Sequence, residues 1–275
     1  MARPKWFINL LKKLFPFRFF LARFTKIPGL RKIADYMLFH EDEIYMIPKD
    51  KISKTISINE KINLPDNLAI PSQIIEYFIE KANYHWIMNF CLCRTAAKCK
   101  NYPSELGCLF LGEAVLNIDP TFGKIVNKEE ALEHIKKCRE AGLVHIIGRN
   151  KIDTQWLDVG PGRKLMTICN CCECCCLWKI LPNLANKISR KLTAMPGLKV
   201  IINDKCTGCG TCLEDVCYVK AIKMVRDKAQ INESLCRACG RCIERCPNSA
   251  IELIITDPEY IEKTINRISS VVDVS

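Results

Sequence analysis

The chemistry available to this sequence is concentrated in cysteine. Two stretches near the C-terminus carry it in ordered form: Cys206, Cys209, Cys212 and Cys217, then Cys236, Cys239, Cys242 and Cys246 followed by Pro247. The second reads C-x-x-C-x-x-C-x-x-x-C-P without deviation. That spacing lets three thiolates wrap one iron–sulfur cubane while the fourth, turned away by proline, reaches a neighbouring one. The first has one more residue before its last cysteine and Tyr218 in the place of proline. A zinc site would show two C-x-x-C pairs set apart, giving four ligands. A triplet with a distant fourth, twice over, supplies the thiolates of two cubanes instead. Disulfides are disfavoured, because no secretory signal precedes cysteines packed this densely.

The two stretches are also an internal repeat. Cys206 and Cys236 lie 30 apart, Cys217 and Cys246 lie 29 apart, and each fourth cysteine is followed at +4 and +5 by Ala-Ile (Ala221-Ile222 and Ala250-Ile251). This part of the chain resembles the two-cluster 4Fe-4S ferredoxin domain. The resemblance implies one cluster on Cys206, Cys209, Cys212 and Cys246 and a second on Cys236, Cys239, Cys242 and Cys217. Gly208, Gly210 and Gly240 suit a backbone that passes close to a cluster with unrestricted torsions.

Nineteen cysteines are present, and the eight above leave eleven. Cys91, Cys93, Cys99, Cys108 and the run Cys169, Cys171, Cys172, Cys174, Cys175, Cys176 offer ten thiols. Six in eight positions cannot be core packing, and the run's overlapping C-x-x-C pairs leave its ligand register open. Period two would put Cys91 and Cys93 on one side of an extended segment. Two Cys-bearing segments that each follow a strand can lie side by side in a sheet. Cys91 and Cys93 are therefore expected to share a metal site with thiols of the 169–176 run, with Cys99 and Cys108 completing or flanking it; separate sites are the alternative. Cys138, on the apolar side of a helix, reads as a buried small hydrophobe. His85, His134 and His145 read as hydrogen-bonding core residues rather than ligands. The stretches 85–94, 102–112, 141–145 and 168–176 resemble a Cys-rich region joined to two-cluster ferredoxin domains in iron–sulfur proteins of anaerobes, a resemblance that carries no activity with it.

These residues need elements to position them. A helix is expected from Pro71-Ser72 with Ile74, Ile75, Phe78 and Ile79 on one face, and a second from Ser104 to Asn117 containing Cys108. A third runs from the capping box of Asn127 and Glu130 to Ala141. A short strand is expected over 164–168, a helical linker broken at Pro182 over 177–196, and a final helix after Asp257-Pro258. The fold class is α+β. Its parts are a basic amphipathic segment (1–33), a Cys-rich α+β domain (34–196) that settles from Leu64, a ferredoxin-like domain with pseudo-twofold repeat (197–257) and a C-terminal helix (258–275).

Lys and Arg number 41 against 30 Asp and Glu, but nine basic groups and no acid fall in residues 1–34, so the remainder is near neutral at 32 to 30. The ferredoxin-like part is itself balanced, which suits a tethered module better than a diffusing shuttle. In the first segment Trp6, Phe7, Leu10, Leu11 and Leu14 share a helix face opposite Asn9, Lys12 and Lys13, and Pro16 should end the helix. No run is long enough to span a membrane. Such a helix can lie in a membrane interface, dock on a partner, or pack on its own domain; nucleic acid is disfavoured, since no binding motif accompanies the charge. No phosphate-cradling glycine motif suggests a nucleotide cofactor, and no nucleophile–base constellation stands out. The expected function is that of a cytoplasmic, peripherally membrane-associated electron-transfer protein. Two 4Fe-4S clusters and a further iron–sulfur or other metal centre would pass single electrons to or from a partner redox enzyme. Its rivals are an oxidoreductase with a catalytic upstream cluster and an iron–sulfur redox sensor.

Overall fold

The structure is a computed structural model that describes residues 3, 5–50, 70–217 and 219–275. Tyr218 and the Leu64 boundary lie outside the described residues. Seven strands make one sheet: β1 (Glu43–Ile47), β2 (His85–Met88), β3 (Leu109–Leu111), β4 (Gly123–Val126), β5 (Val144–Arg149), β6 (Met166–Cys171) and β7 (Leu192–Ala194). Their order is β4-β2-β3-β6-β5-β1-β7. All pairs are antiparallel except β1 with β7. The central strands are rich in Ile, Val and Leu, which fit a pleated surface covered on both sides.

Helices cover both faces. Against one pack α4 (Gln73–Lys81), α6 (Lys128–Glu140) and α10 (Tyr260–Val271), whose Ile74, Phe78, Ile135 and Ile268 meet Tyr45, Ile147 and Ile168 of the sheet. The capping box is present: Asn127 accepts from the Glu130 N–H and Glu130 accepts from the Asn127 N–H, satisfying donors at the start of α6. The C-terminal helix thus returns to the sheet after the ferredoxin-type repeat. Over the other face lie α1 (Lys5–Leu14), α2 (Arg18–Phe24) and α3 (Pro28–Ala34), with Ala22 and Phe39 against Ile44, Ile146, Trp178 and Ile180. The intervening short helices are α5 (Leu92–Ala97), α7 (Lys151–Leu157) and α8 (Asn186–Ser189).

Five local expectations are corrected. Cys108 is not in a helix: Leu109-Phe-Leu, buried on both sides, pairs as β3, and the helical turn is confined to Glu113–Asn117. Gly107 holds that pairing tight, since a Cβ there would stand 2.2 Å from the Met88 carbonyl oxygen. Cys91 is extended but serves as N-cap of α5, so Cys93 lies in a helix. The strand expected over 164–168 runs instead to Cys171. The stretch 177–196 is no helical linker, because it supplies edge strand β7 as well as α8. In α1 the buried residue is Ile8, while Trp6, Leu10 and Leu14 face outward; the helix does end ahead of Pro16, at Leu14, and a three-residue 3-10 turn leads on to α2.

The remaining strands form two antiparallel pairs, β8 (Leu198–Ile202) with β11 (Ile251–Ile255) and β9 (Ile222–Val225) with β10 (Lys228–Ile231). The repeat is visible in the backbone. Gly210 and Gly240 sit at equivalent left-handed positions (φ 79° and 80°), each opening a short helical turn, Thr211–Leu213 and α9 (Arg241–Arg245). Val200, Val216, Ile222 and Leu253 of this part continue the core beneath α10.

Candidate metal centres

In the C-terminal repeat, Cys206, Cys209, Cys212 and Cys246 line one concavity with Gly208, Gly210 and Pro247. Cys217, Cys236, Cys239 and Cys242 form a second group. Burial pushes the Cys236 thiol up to about 11, helped by the charges of Cys239 and Cys217; Cys239 and Cys242 are raised by burial too. The repeated alanines have a physical role: Ala221 N–H donates to Cys217 Sγ and Ala250 N–H to Cys246 Sγ, both at 3.2 Å. Burial thus favours the protonated form of Cys236, Cys239 and Cys242 until a cation takes the place of the protons. That chemistry fits cubane clusters, which thiolates hold in sets of four.

Upstream, six thiols from four segments meet. Cys91 and Cys93 at the start of α5, Cys108 before β3, Cys169 and Cys171 on β6, and Cys176 line a cavity of about 370 Å³ roofed by Leu11, Phe15 and Arg18. Cys108 and Cys169 are 3.5 Å apart. Cys91 is drawn down to about 7, first by a hydrogen bond from the Cys93 thiol, with burial opposing and Arg94 assisting. Cys171 is lowered by hydrogen bonds from Cys169 and Cys176, whereas those donors are raised. Two low-lying thiols are held by hydrogen bonds from raised neighbours, so without a bound cation the group keeps most of its protons.

The strand itself divides the run. Successive side chains of β6 alternate, so Cys169 and Cys171 face the cavity while Asn170 points to the other side, where its Nδ2 donates to Gly107 O at 2.6 Å. On that side Cys172, Cys174 and Cys175 meet Cys99 from the loop after α5, all four sulfurs within 4.8 Å of one another. Cys138 packs beside them, fully buried with Leu143. The imidazoles are engaged elsewhere: His85 Nε2 with Ile79 O (2.7 Å), His134 Nε2 with Gly107 O (3.0 Å) and His145 Nδ1 with Asn170 Oδ1 (2.7 Å).

Charged residues that no motif announced complete the site. Arg94, 1% exposed, donates from Nη1 to Asn170 O at 2.7 Å and from Nη2 to Leu106 O, placing its cation between both thiol groups. Asp153, also bordering the cavity, accepts from Trp156, Asn150 and Thr167. Glu173, the only acid in the cysteine run, accepts from Arg241 Nη1 and from Tyr102 Oη at 2.9 Å, and Arg241 Nη2 reaches Cys171 O. Arg241 lies between Gly240 and Cys242, so this guanidinium joins the upstream thiols to the C-terminal ones. Cys169 and Cys171 also pack on the same apolar cluster as Cys217, Cys236 and Cys239, through Trp178, Val219 and Ala221. Of the signals in sequence, only the Arg that follows Cys-x-Cys and the lone Glu within the run could have pointed to these.

Residues 198–247 match the 4Fe-4S dicluster domain family, and this segment is a ferredoxin-type iron–sulfur domain. The chain is similar to an uncharacterized polyferredoxin-like protein of Methanocaldococcus jannaschii, 33% identical over 81 residues, 30% of this chain and 34% of that one. It is also similar to one component of an ion-translocating oxidoreductase complex of Methanosarcina acetivorans, 39% identical over 56 residues, 20% of this chain and 21% of that one. With formate hydrogenlyase subunit 2 of Escherichia coli it shares 39% identity over 82 residues, 27% and 40% of the respective chains. The matched part spans less than half the length of each of these relatives. No solved structure gives a significant match. Among the described residues no helix is long and apolar enough to cross a membrane.

Proposed function

We propose that this chain is an electron-transfer subunit that passes single electrons to or from a partner redox enzyme. It would carry two 4Fe-4S clusters in the C-terminal domain and a further iron–sulfur centre in the six-thiol cavity. When bound, such clusters supply one-electron redox chemistry over a wide range of potentials. What the chain contributes is placement. The observation that supports the reading is the apolar cluster against which Cys169 and Cys171 pack together with Cys217, Cys236 and Cys239, so that one continuous core joins the upstream thiols to the second ferredoxin-type group. The similar proteins named as parts of complexes support a partner of the redox type. The test is an iron and acid-labile sulfide count on the full chain purified anaerobically, with low-temperature EPR of the reduced protein. About eight iron atoms from the C-terminal domain plus a further set lost in Cys93→Ser is the expected result. Zinc without iron or sulfide would refute it.

A second reading concerns the amphipathic segment. Trp6, Phe17, Phe20, Ile33 and Tyr36 are each more than half exposed, in a segment whose sequence carries nine basic groups and no acid up to residue 34. An outward face of this composition fits the surface of an anionic membrane, where each Lys or Arg contributes about 1 kcal/mol and aromatic side chains enter the interface. Peripheral association of this kind accords with an electron-transfer subunit docked at a membrane.

A further inference from the structure

We infer that Cys99, Cys172, Cys174 and Cys175 hold one zinc ion in a closed tetrathiolate site, separate from every iron–sulfur centre. Distance separates the two kinds of site. Sulfurs bound tetrahedrally to one ion at about 2.3 Å lie about 3.8 Å from each other. Here all four Sγ atoms fall within 4.8 Å, with Cys99 to Cys174 at 3.4 Å and Cys174 to Cys175 at 3.6 Å. Thiolates on a cubane each bind a different iron and stand farther apart, so a cluster would have to push this set open. The six thiols of the neighbouring cavity surround a space; these four surround a point.

The donor set and its support agree with that geometry. Four protein sulfurs fill a tetrahedron and leave no open position, the signature of a structural rather than a catalytic ion. The Cys175 N–H donates to Cys172 Sγ at 3.4 Å, and the N–H groups of Asn101 and Tyr102 donate to Cys99. These bonds orient the ligands and offset their charge. Lys179 Nζ donates to the Cys174 carbonyl oxygen at 3.2 Å. Cys172 and Cys175 are buried against Leu143 and Cys138, which shields these two from water, while Cys99 and Cys174 are half-buried.

Position supplies the consequence. Cys99 ends the segment that begins with Cys91 and Cys93, and Cys172 begins where β6 has delivered Cys169 and Cys171. An ion joining them would bridge these two segments on the face of the sheet opposite the cavity, while the strand pairing of β6 and the packing of α5 hold the cavity thiols in place independently. This inference goes beyond the electron-transfer reading and does not depend on it.

The test uses the full chain, produced with both metals available and purified anaerobically, and reads zinc, iron and sulfide together with the zinc-edge X-ray absorption spectrum. The expected result is about one zinc per chain with a shell of four sulfurs at about 2.3 Å. Cys99→Ser and Cys174→Ser should lower zinc to near zero with iron and sulfide unchanged, while Cys138→Ser keeps the zinc. Cys93→Ser should do the reverse of the first pair, losing iron and keeping zinc, so that the two readings fail separately. A wild-type chain that contains no zinc, or whose zinc shows fewer than four sulfurs, overturns the inference even if the variants do not fold. Loss of iron and sulfide in Cys99→Ser would assign these thiols to a cluster and overturn it as well.

Discussion

Replacing Arg241 with methionine removes a cation that reaches both the cysteine run and the ferredoxin-type domain. Its side chain is 8% exposed and that of Glu173 23%. Removing one partner of a buried pair costs about 3–5 kcal/mol, and because Glu173 can turn partly to water the lower end applies, about 3 kcal/mol. Burial opposes the ionisation of Glu173, yet the Arg241 charge, a main-chain N–H and Tyr102 hold its carboxyl below the usual range, so the pair is charged at neutral pH. Glu173→Gln keeps an acceptor for Tyr102 and should cost less, about 1–2 kcal/mol. If the two act on one another, the double variant is no worse than Arg241→Met alone, a coupling of about 1–2 kcal/mol. Unfolding with metal loss is irreversible, so the assay is the anaerobic unfolding rate in guanidinium. A loss of about 3 kcal/mol corresponds to about a hundredfold acceleration, at about 1.4 kcal/mol per factor of ten. Additive effects, with the double variant about another tenfold faster than Arg241→Met, would refute the bridge between the domains.

Further outcomes follow from other features. Gly208 (φ +72°) would place a Cβ 2.1 Å from the Asp227 carbonyl oxygen, while at Gly210 (φ +79°) nothing lies within 4 Å. Gly210→Ala should therefore cost only the left-handed strain, about 1 kcal/mol, with iron content kept, whereas Gly208→Ala should displace the Cys206–Cys209 loop and lower the iron and sulfide count of the full chain. His145 is held down to about 3, chiefly by burial and then by the Arg139 charge. The folded state refuses a proton that the unfolded chain accepts below about 6.5, so stability is full above that pH and falls by about 1.4 kcal/mol per unit on acidification. His145→Gln should flatten the decline in denaturation midpoint between about pH 6.5 and 5.5, and an unchanged slope would place its origin elsewhere. Co-sedimentation with anionic vesicles should be lost in a Trp6→Ser, Phe17→Ser, Phe20→Ser variant and weakened by salt. Equal binding to neutral vesicles, or none in the wild type, would remove the membrane reading.

What could be read from the sequence was what is local. The C-terminal triplets each fit within seven residues, and the capping box of α6 spans four, so neither depends on the rest of the fold. The place of Cys246 beside the first triplet came from resemblance, not from spacing. The 169–176 run resisted reading because its overlapping pairs fit several registers. Its decisive feature, the strand through Cys171, is signalled only by Thr167 and Ile168 ahead of it. Alternation fails for Cys91 and Cys93, which lie at a helix start, and holds for Cys169 and Cys171. In α1 apolar residues surround most of the helix, so periodicity could not decide that Ile8 turns inward. Arg94, Glu173 and Arg241 each have a partner 68 to 76 residues away, which no short motif encodes.

Because β6 sends alternate residues to opposite sides of the sheet, the segment from Ile168 to Cys172 is constrained more tightly in length than in composition. Exchanging one cysteine there for serine removes one thiol from one group. Deleting or inserting a single residue reverses the facing of everything beyond it, so that Cys171 and Cys172 trade sides and both groups lose their donor sets together. A bulge could absorb the change only by breaking the ladder to β5, where Ile146 pairs with Cys169 and Val144 with Cys171. Point substitutions in this segment should therefore be graded in effect, and changes of length should be all-or-none.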